Sequence, residues 1–148
     1  MFRSILVPID LAQPSSWQPV LPEAIAMARQ NAAGLTVMTV VRDTASFFES
    51  RFLAFQIETA MAEARRALAA VVHPFAAPDL PIRQIVRFGS IGGEILAEAQ
   101  DCGADLIVMA SHRPEMKDYL IGPNAAHVAR HAACSVLVLR PKVQPAAG

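Results

Sequence analysis

Along this 148-residue chain, short runs of aliphatic and β-branched residues alternate with longer stretches whose apolar positions recur every three or four residues. Residues 2–9 (FRSILVPI) carry an apolar run closed by Pro8 and Asp10, the pattern of a strand buried on both faces. Pro14, Ser15, Ser16 and Pro19 then mark a loop. Pro22 suits the first turn of a helix, where its missing N–H is no loss. Leu21, Ile25, Ala28 and Ala32 follow at helical spacing, and Gly34 is expected to stop this helix in the left-handed cap position. Residues 35–41 (LTVMTVV) read as a second strand.

Helical spacing returns over 46–73, with Leu53, Ile57, Ala60, Ala64, Leu68 and Val71 as one stripe. Phe47, Phe48, Phe52 and Phe55 read first as core, or else as a wall of a ligand pocket at that end of the helix. His73-Pro74 ends the helix, because a residue before proline is pushed out of helical geometry. Residues 82–88 form a third strand, Gly89-Ser90 a turn, and Ile91, Ile95, Ala99 and Cys102 line a third helix capped by Gly103. A fourth strand covers 105–110 (DLIVMA), and the polar stretch 111–119 is a loop. Gly122-Pro123-Asn124 opens a fourth helix with Ala125, Val128 and Ala132 inward, and 135–140 (SVLVLR) is the last strand.

Strands separated by helices specify an α/β fold: a five-stranded, doubly wound parallel sheet of Rossmann-like kind with crossover helices on both faces. Such sheets bind ligands outside the carboxyl ends of their strands, where the strand order reverses. That directs attention to residues 8–10, 40–43, 88–90 and 110–113.

Composition narrows the partners. With 53% apolar and 18% charged residues, a real core is available and wholesale disorder is excluded. The length fits one domain, residues 1–141, followed by a tail at 142–148 poor in core formers. Lys+Arg and Asp+Glu balance at 13 each, so there is no basic excess to support nucleic acid as the main partner. No apolar run approaches the ~20 residues that span a bilayer, and the opening MFRSILVPID is too short in apolar residues for a signal peptide. Two cysteines, Cys102 and Cys134, make no disulfide framework, and the expected placement is the reduced cytoplasm.

Two places could carry chemistry. Asp10, just past a buried strand, could accept hydrogen bonds from a ribose diol, or could simply cap the following turn. The segment 110–124 (ASHRPEMKDYLIGPN) sets Ser111, His112 and Arg113 before a glycine-led helix start, a layout able to hold phosphate. It is also compatible with an ordinary crossover loop, and no Walker-type glycine loop occurs. The run Gly89-Ser-Ile-Gly92-Gly93 lacks the dinucleotide-binding register, and Ser90 as a helix N-cap explains most of it. His127 and His131 stand at a zinc-compatible spacing, but Val128 takes the place of the glutamate in a H-E-x-x-H helix and no third ligand suggests itself. They read as surface histidines, and no metal site is assigned. Ser111 and His112 are neighbours without a nucleophile elbow, and Cys102 and Cys134 lack an activating motif, so no catalytic residue is assigned either.

The segments ILVPID, AGLTVMTVV and above all ADLIVMASHRP…YLIGPNAAHVARHAACSVLVLRP resemble the universal stress protein family, over essentially residues 1–141. The resemblance implies strand order 3-2-1-4-5, homodimerisation and, in many members, a bound ATP or AMP, with or without Mg2+. It implies that Asp10 holds the ribose, that Pro8 and Ile9 lie near the adenine, and that backbone at Val40 reads the adenine edge. Phosphates would lie against Ser111, His112, Arg113, Gly122 and Asn124, with Met109, Ala110 and Pro123 completing the nucleotide-binding set.

The family's phosphate pattern is Gly-x2-Gly-x9-Gly-Ser/Thr. Here Ala110 and Arg113 replace the first two glycines, the spacer is one residue short, only Gly122 is kept, and Pro123 replaces the Ser/Thr. The implied function is a homodimeric stress-response protein with an adenine nucleotide as regulatory ligand. The alternatives are a dimer acting through protein partners without nucleotide, and a slow ATPase, for which no general base or magnesium carboxylate pair is apparent. Val136, Leu137, Val138 and Leu139 would form an apolar sheet edge able to pair with a second copy.

Overall fold

Side-chain alternation along the strands divides the core into two layers. The computed structural model describes residues 1–43, 50–111 and 121–140. Its strands are β1 (Ser4–Pro8), β2 (Gly34–Arg42), β3 (Ile82–Gly89), β4 (Leu106–Ala110) and β5 (Ser135–Leu139), all parallel, in the order β3-β2-β1-β4-β5. The helices are α1 (Val20–Asn31), α2 (Ser50–Val72), α3 (Ile91–Asp101) and α4 (Pro123–His131). Because successive strand residues face opposite ways, Ile5, Val7, Leu35, Val37, Leu106 and Val108 pack with Leu21 and Ile25 of α1 and Leu68 and Val72 of α2. Leu6, Met38, Ile107 and Met109 pack on the other face with Ile95 and Ala99 of α3 and Ala125 and Val128 of α4. Both faces of the sheet are covered, as the near-continuous apolar strands require.

Strand pairing is uneven, and the unevenness opens a crevice. β1 pairs with β2 from Ser4↔Gly34 to Pro8↔Met38, whereas its pairing with β4 consists of Ile5↔Leu106 and Leu6↔Ile107. Pro8 has no N–H with which to prolong a ladder. β2 continues past the end of β1 through Thr39, Val40, Val41 and Arg42, still paired with β3. The strand order reverses between β1 and β4, so the gap lies at the topological switch point.

Several sequence expectations change. The left-handed residue at the end of α1 is Ala32 (φ 51°), not Gly34, which begins β2. Gly103 (φ 65°) does take the left-handed position after α3. Along α2, Ala64, Leu68 and Val72 are buried, Leu53, Ile57 and Ala60 are half-buried, and Phe52 and Phe55 are 61% and 68% exposed. Those two phenylalanines are therefore neither core nor pocket wall: the buried stripe starts only at Ala64, and both rings lie off it. Phe47 and Phe48 lie outside the described residues, as do most of the 111–119 loop and the 142–148 tail. Ser90 takes the N-cap position of α3 without a side-chain capping bond.

A cationic staple fixes α3 against the edge strand. Arg87 of β3 reaches Glu94 (2.7 Å), Asp101 (3.1 Å) and the buried Glu98 (3.4 Å), all on α3. The hydrogen bond that Arg87 donates to Glu94 leads in holding the guanidinium above its ordinary pKa. Gly89 lies under the same glutamate, where a Cβ would stand 2.7 Å from Glu94 Oε1. No helix among the described residues is long and apolar enough to cross a membrane.

Candidate functional site: a cleft at the switch point

A cavity of about 660 Å³ occupies the crevice at the carboxyl ends of β1, β2 and β4, a size within the range of small-molecule and cofactor sites. Pro8, Ile9 and Asp10 line it from the end of β1, Thr39, Val40 and Arg42 from β2, and Met109, Ala110 and Ser111 from β4. Ile91 and Ile95 of α3 and Ala125 of α4 supply apolar wall, and Gly122, Pro123 and Asn124 contribute the start of α4. Ala12, Gln13, Ser15 and Ser16, around a short 3₁₀ turn at Pro14–Ser16, close the side next to Asp10.

Local hydrogen bonding fixes the turn that presents Asp10. The Asp10 N–H donates to Ser16 Oγ (2.8 Å), and the Ser16 hydroxyl donates back to the Asp10 carbonyl (3.0 Å). Asp10 Oδ1 accepts from the Ala12 N–H (2.9 Å), the capping role of aspartate in a turn. Asp10 therefore caps the turn with one carboxylate oxygen, and the residue also lines the cavity.

The β2 wall is held open by a side chain. The Ile9 N–H still donates to Met38 C=O (2.8 Å), but the Ile9 carbonyl accepts from the buried Thr39 hydroxyl (3.0 Å). Beyond that point β2 has no β1 partner, and Thr39, Val40 and Arg42 border the cavity there. A strand overhang of this kind presents backbone donors and acceptors along its free side.

At the opposite wall the chain is tied tightly. The Ser111 N–H donates to the Leu139 carbonyl (2.9 Å), the Gly122 N–H donates to the Ser111 carbonyl, and Ser111 is buried. Gly122 is the N-cap of α4 in extended geometry, and Pro123 occupies the first helical turn. The first intrahelical bond runs from the Ala126 N–H to Gly122 C=O (2.9 Å). The amides of Asn124 and Ala125 belong to the turn that helices leave without internal acceptors.

Ten of the twelve residues expected to surround a nucleotide thus meet in one cleft: Pro8, Ile9, Asp10, Val40, Met109, Ala110, Ser111, Gly122, Pro123 and Asn124. His112 and Arg113 lie outside the described residues. Residues 88–90 do not line the cavity, because β3 is an edge strand remote from the switch point. Sequence reasoning missed Thr39, Ile91, Ile95 and the Ala12–Ser16 side as cavity lining, whereas the 40–43 range did include Arg42.

The other candidates fall elsewhere. His127 and His131 are exposed, their rings 4.6 Å apart, with His127 lying over Gly92. Among the described residues no group of three or more His, Cys, Asp or Glu could hold a metal ion. Cys102 and Cys134 are half-buried at the second core layer, and burial pushes both thiols up.

Comparison with known proteins agrees with this geometry. The family model described as universal stress protein family matches residues 1–140. Universal stress protein G of Shigella flexneri is 32% identical over 144 residues, covering 95% of this chain and 100% of that protein. Among solved structures, universal stress protein UspA from Lactobacillus plantarum is 24% identical, with TM-score 0.69 and coverage of 93% of this chain and 97% of that one. A universal stress protein solved in complex with cAMP is 21% identical, with TM-score 0.62 and coverage of 95% and 98%. The solved structures share the fold.

Proposed function

The chain belongs to the universal stress protein family, and from that premise we propose that this stress-response protein binds an adenine nucleotide as a regulatory ligand in the switch-point cleft. The observation that carries the reading is the convergence of three elements on one cavity: the Asp10 turn, the end of β2 that extends past β1, and the start of α4. A carboxylate suits a ribose diol, a strand overhang suits the edge of a base, and a helix N-terminus suits phosphate. The cavity is apolar toward Ile91, Ile95 and Met109, where a purine ring loses little by leaving water. The solved relative that holds cAMP supports the same ligand class.

Thermal unfolding of the whole protein with adenosine, AMP and ATP tests the proposal. Ligand at a hundredfold above its Kd raises stability by ~2.7 kcal/mol, and Asp10→Ala abolishes that ligand-dependent rise. The comparison is of shifts with and without ligand, since losing the Oδ1 bond to Ala12 lowers the starting stability of the variant as well. No shift in the unmutated protein at millimolar nucleotide rejects the reading.

In this proposal the protein is a homodimer joined along β5, whose residues Val136, Leu137, Val138 and Leu139 are half-buried in the single chain and, among the described residues, pair on one side only, with β4. One observation favours a second reading, in which the dimer acts through protein partners without nucleotide. Pro123 carries no N–H, and the Gly122 N–H is already bonded to Ser111.

A further inference from the structure

The donors at the two ends of the cleft are unequal. On the base and ribose side, the β2 overhang and the Asp10 turn are intact. At the α4 end, three groups that could meet phosphate are withdrawn. The Gly122 N–H is spent on the Ser111 carbonyl, Pro123 has no N–H, and the Ser111 side chain is 1% exposed. Among the described residues, Asn124 and Ala125 line the cavity there, in the turn whose amides a helix leaves without internal acceptors. A phosphate monoester presents three terminal oxygens. A triphosphate presents more than twice as many and carries more charge, all of which must be matched when it leaves water. Among the charged side chains described at the cavity, Asp10 repels a phosphate chain, and Arg42 stands at the end of β2, two residues beyond Val40 and away from α4.

We propose that Pro123 is a specificity-determining residue, restricting the cleft to adenine nucleotides with a single phosphate group. The inference rests on the adenine-nucleotide reading and adds the phosphate count to it. The rigid ring does two things at once. It presets the first turn of α4, and it deletes the donor and the hydroxyl that a serine there would offer to a second phosphate. The Gly122–Ser111 bond reinforces this by anchoring the N-cap to the end of β4 and engaging the Gly122 N–H, which is then not offered to a longer phosphate chain.

Isothermal titration of the full chain with adenosine, AMP and ATP, the last with and without Mg2+, tests the proposal. The expected order is AMP at least tenfold tighter than adenosine, and ATP no tighter than AMP. Pro123→Ser returns an N–H and a hydroxyl to the turn and shifts the ATP-to-AMP affinity ratio at least fivefold toward ATP. If Pro123→Ser does not fold, Pro123→Ala, which returns the N–H alone, shifts the ratio in the same direction. ATP binding more tightly than AMP to the unmutated protein overturns the proposal, as does a ratio unmoved in the folded Pro123 variants. Equal affinities for adenosine and AMP also overturn it while leaving the adenine reading standing. Binding of none of the three removes both.

Discussion

Asp105 ties the first and fourth strands together at their starts. Its Oδ2 accepts from the Arg3 N–H (2.8 Å) and its Oδ1 from the Ser4 N–H (3.0 Å). These two backbone bonds, Ser4 first, hold its carboxyl below the usual carboxylate pKa. A folded pKa below the unfolded one means that the stabilisation is complete above the unfolded value and is lost as pH falls through the folded value. Denaturant midpoints of the unmutated protein and Asp105→Asn should therefore differ most above about pH 4 and converge in more acid solution. A gap that persists unchanged through acid assigns the effect to shape instead of charge. Asp105 drew no notice in the sequence, because its partners are backbone groups about a hundred residues away. Asp10 was legible because its role is local: a carboxylate following an apolar run and preceding a turn.

At the scale of elements, α2 departs furthest from its sequence pattern. Its stripe has the helical period throughout, yet among its described side chains burial is complete only at Ala64, Leu68 and Val72, in its second half. Periodicity tells which face of a helix can be buried but not how much of its length meets a partner. Leu68→Ala should destabilise by about 2–5 kcal/mol, the range for a large-to-small change in a packed core. Phe52→Ala, at a ring 61% exposed, should stay within about 0.5 kcal/mol of the unmutated protein in the same denaturation series. A comparable loss in both would show that the outer face of α2 is covered. The strand–helix alternation itself was readable throughout, since buried strands and amphipathic helices differ in period and the breaks fall at Pro and Gly. The cap of α1 was not. Gly34 is the residue that suits a left-handed turn, but the chain takes that conformation two residues earlier at Ala32, and Gly34 is already paired with Ser4.

For the whole molecule, the two edges of the sheet differ in character. β3 closes one side of the sheet with a charged face, where Arg87 meets three carboxylates of α3. β5 closes the other with aliphatic residues and, among the described residues, no outer neighbour. An apolar, unprotected edge favours pairing with itself. Val138→Lys should raise the monomer fraction in sedimentation, with melting temperature followed in parallel to separate dissociation from unfolding. An unchanged dimer, or an unmutated protein that is already monomeric at micromolar concentration, rejects this edge as the interface.

Hydrophobic periodicity, read along the chain alone, determined the class of this protein: which segments are strands, which are helices, and that the strands run parallel with helices on both faces. Those properties depend on neighbours within a few residues, and the side chains carry that information directly. The site was decided by tertiary structure. That β1 parts from β4 after two pairs, that Thr39 occupies the Ile9 carbonyl, and that Gly122 spends its N–H on Ser111 all depend on groups brought together from distant parts of the chain. A cavity is the space that packing leaves between elements, so its lining can be known only once those elements are assembled.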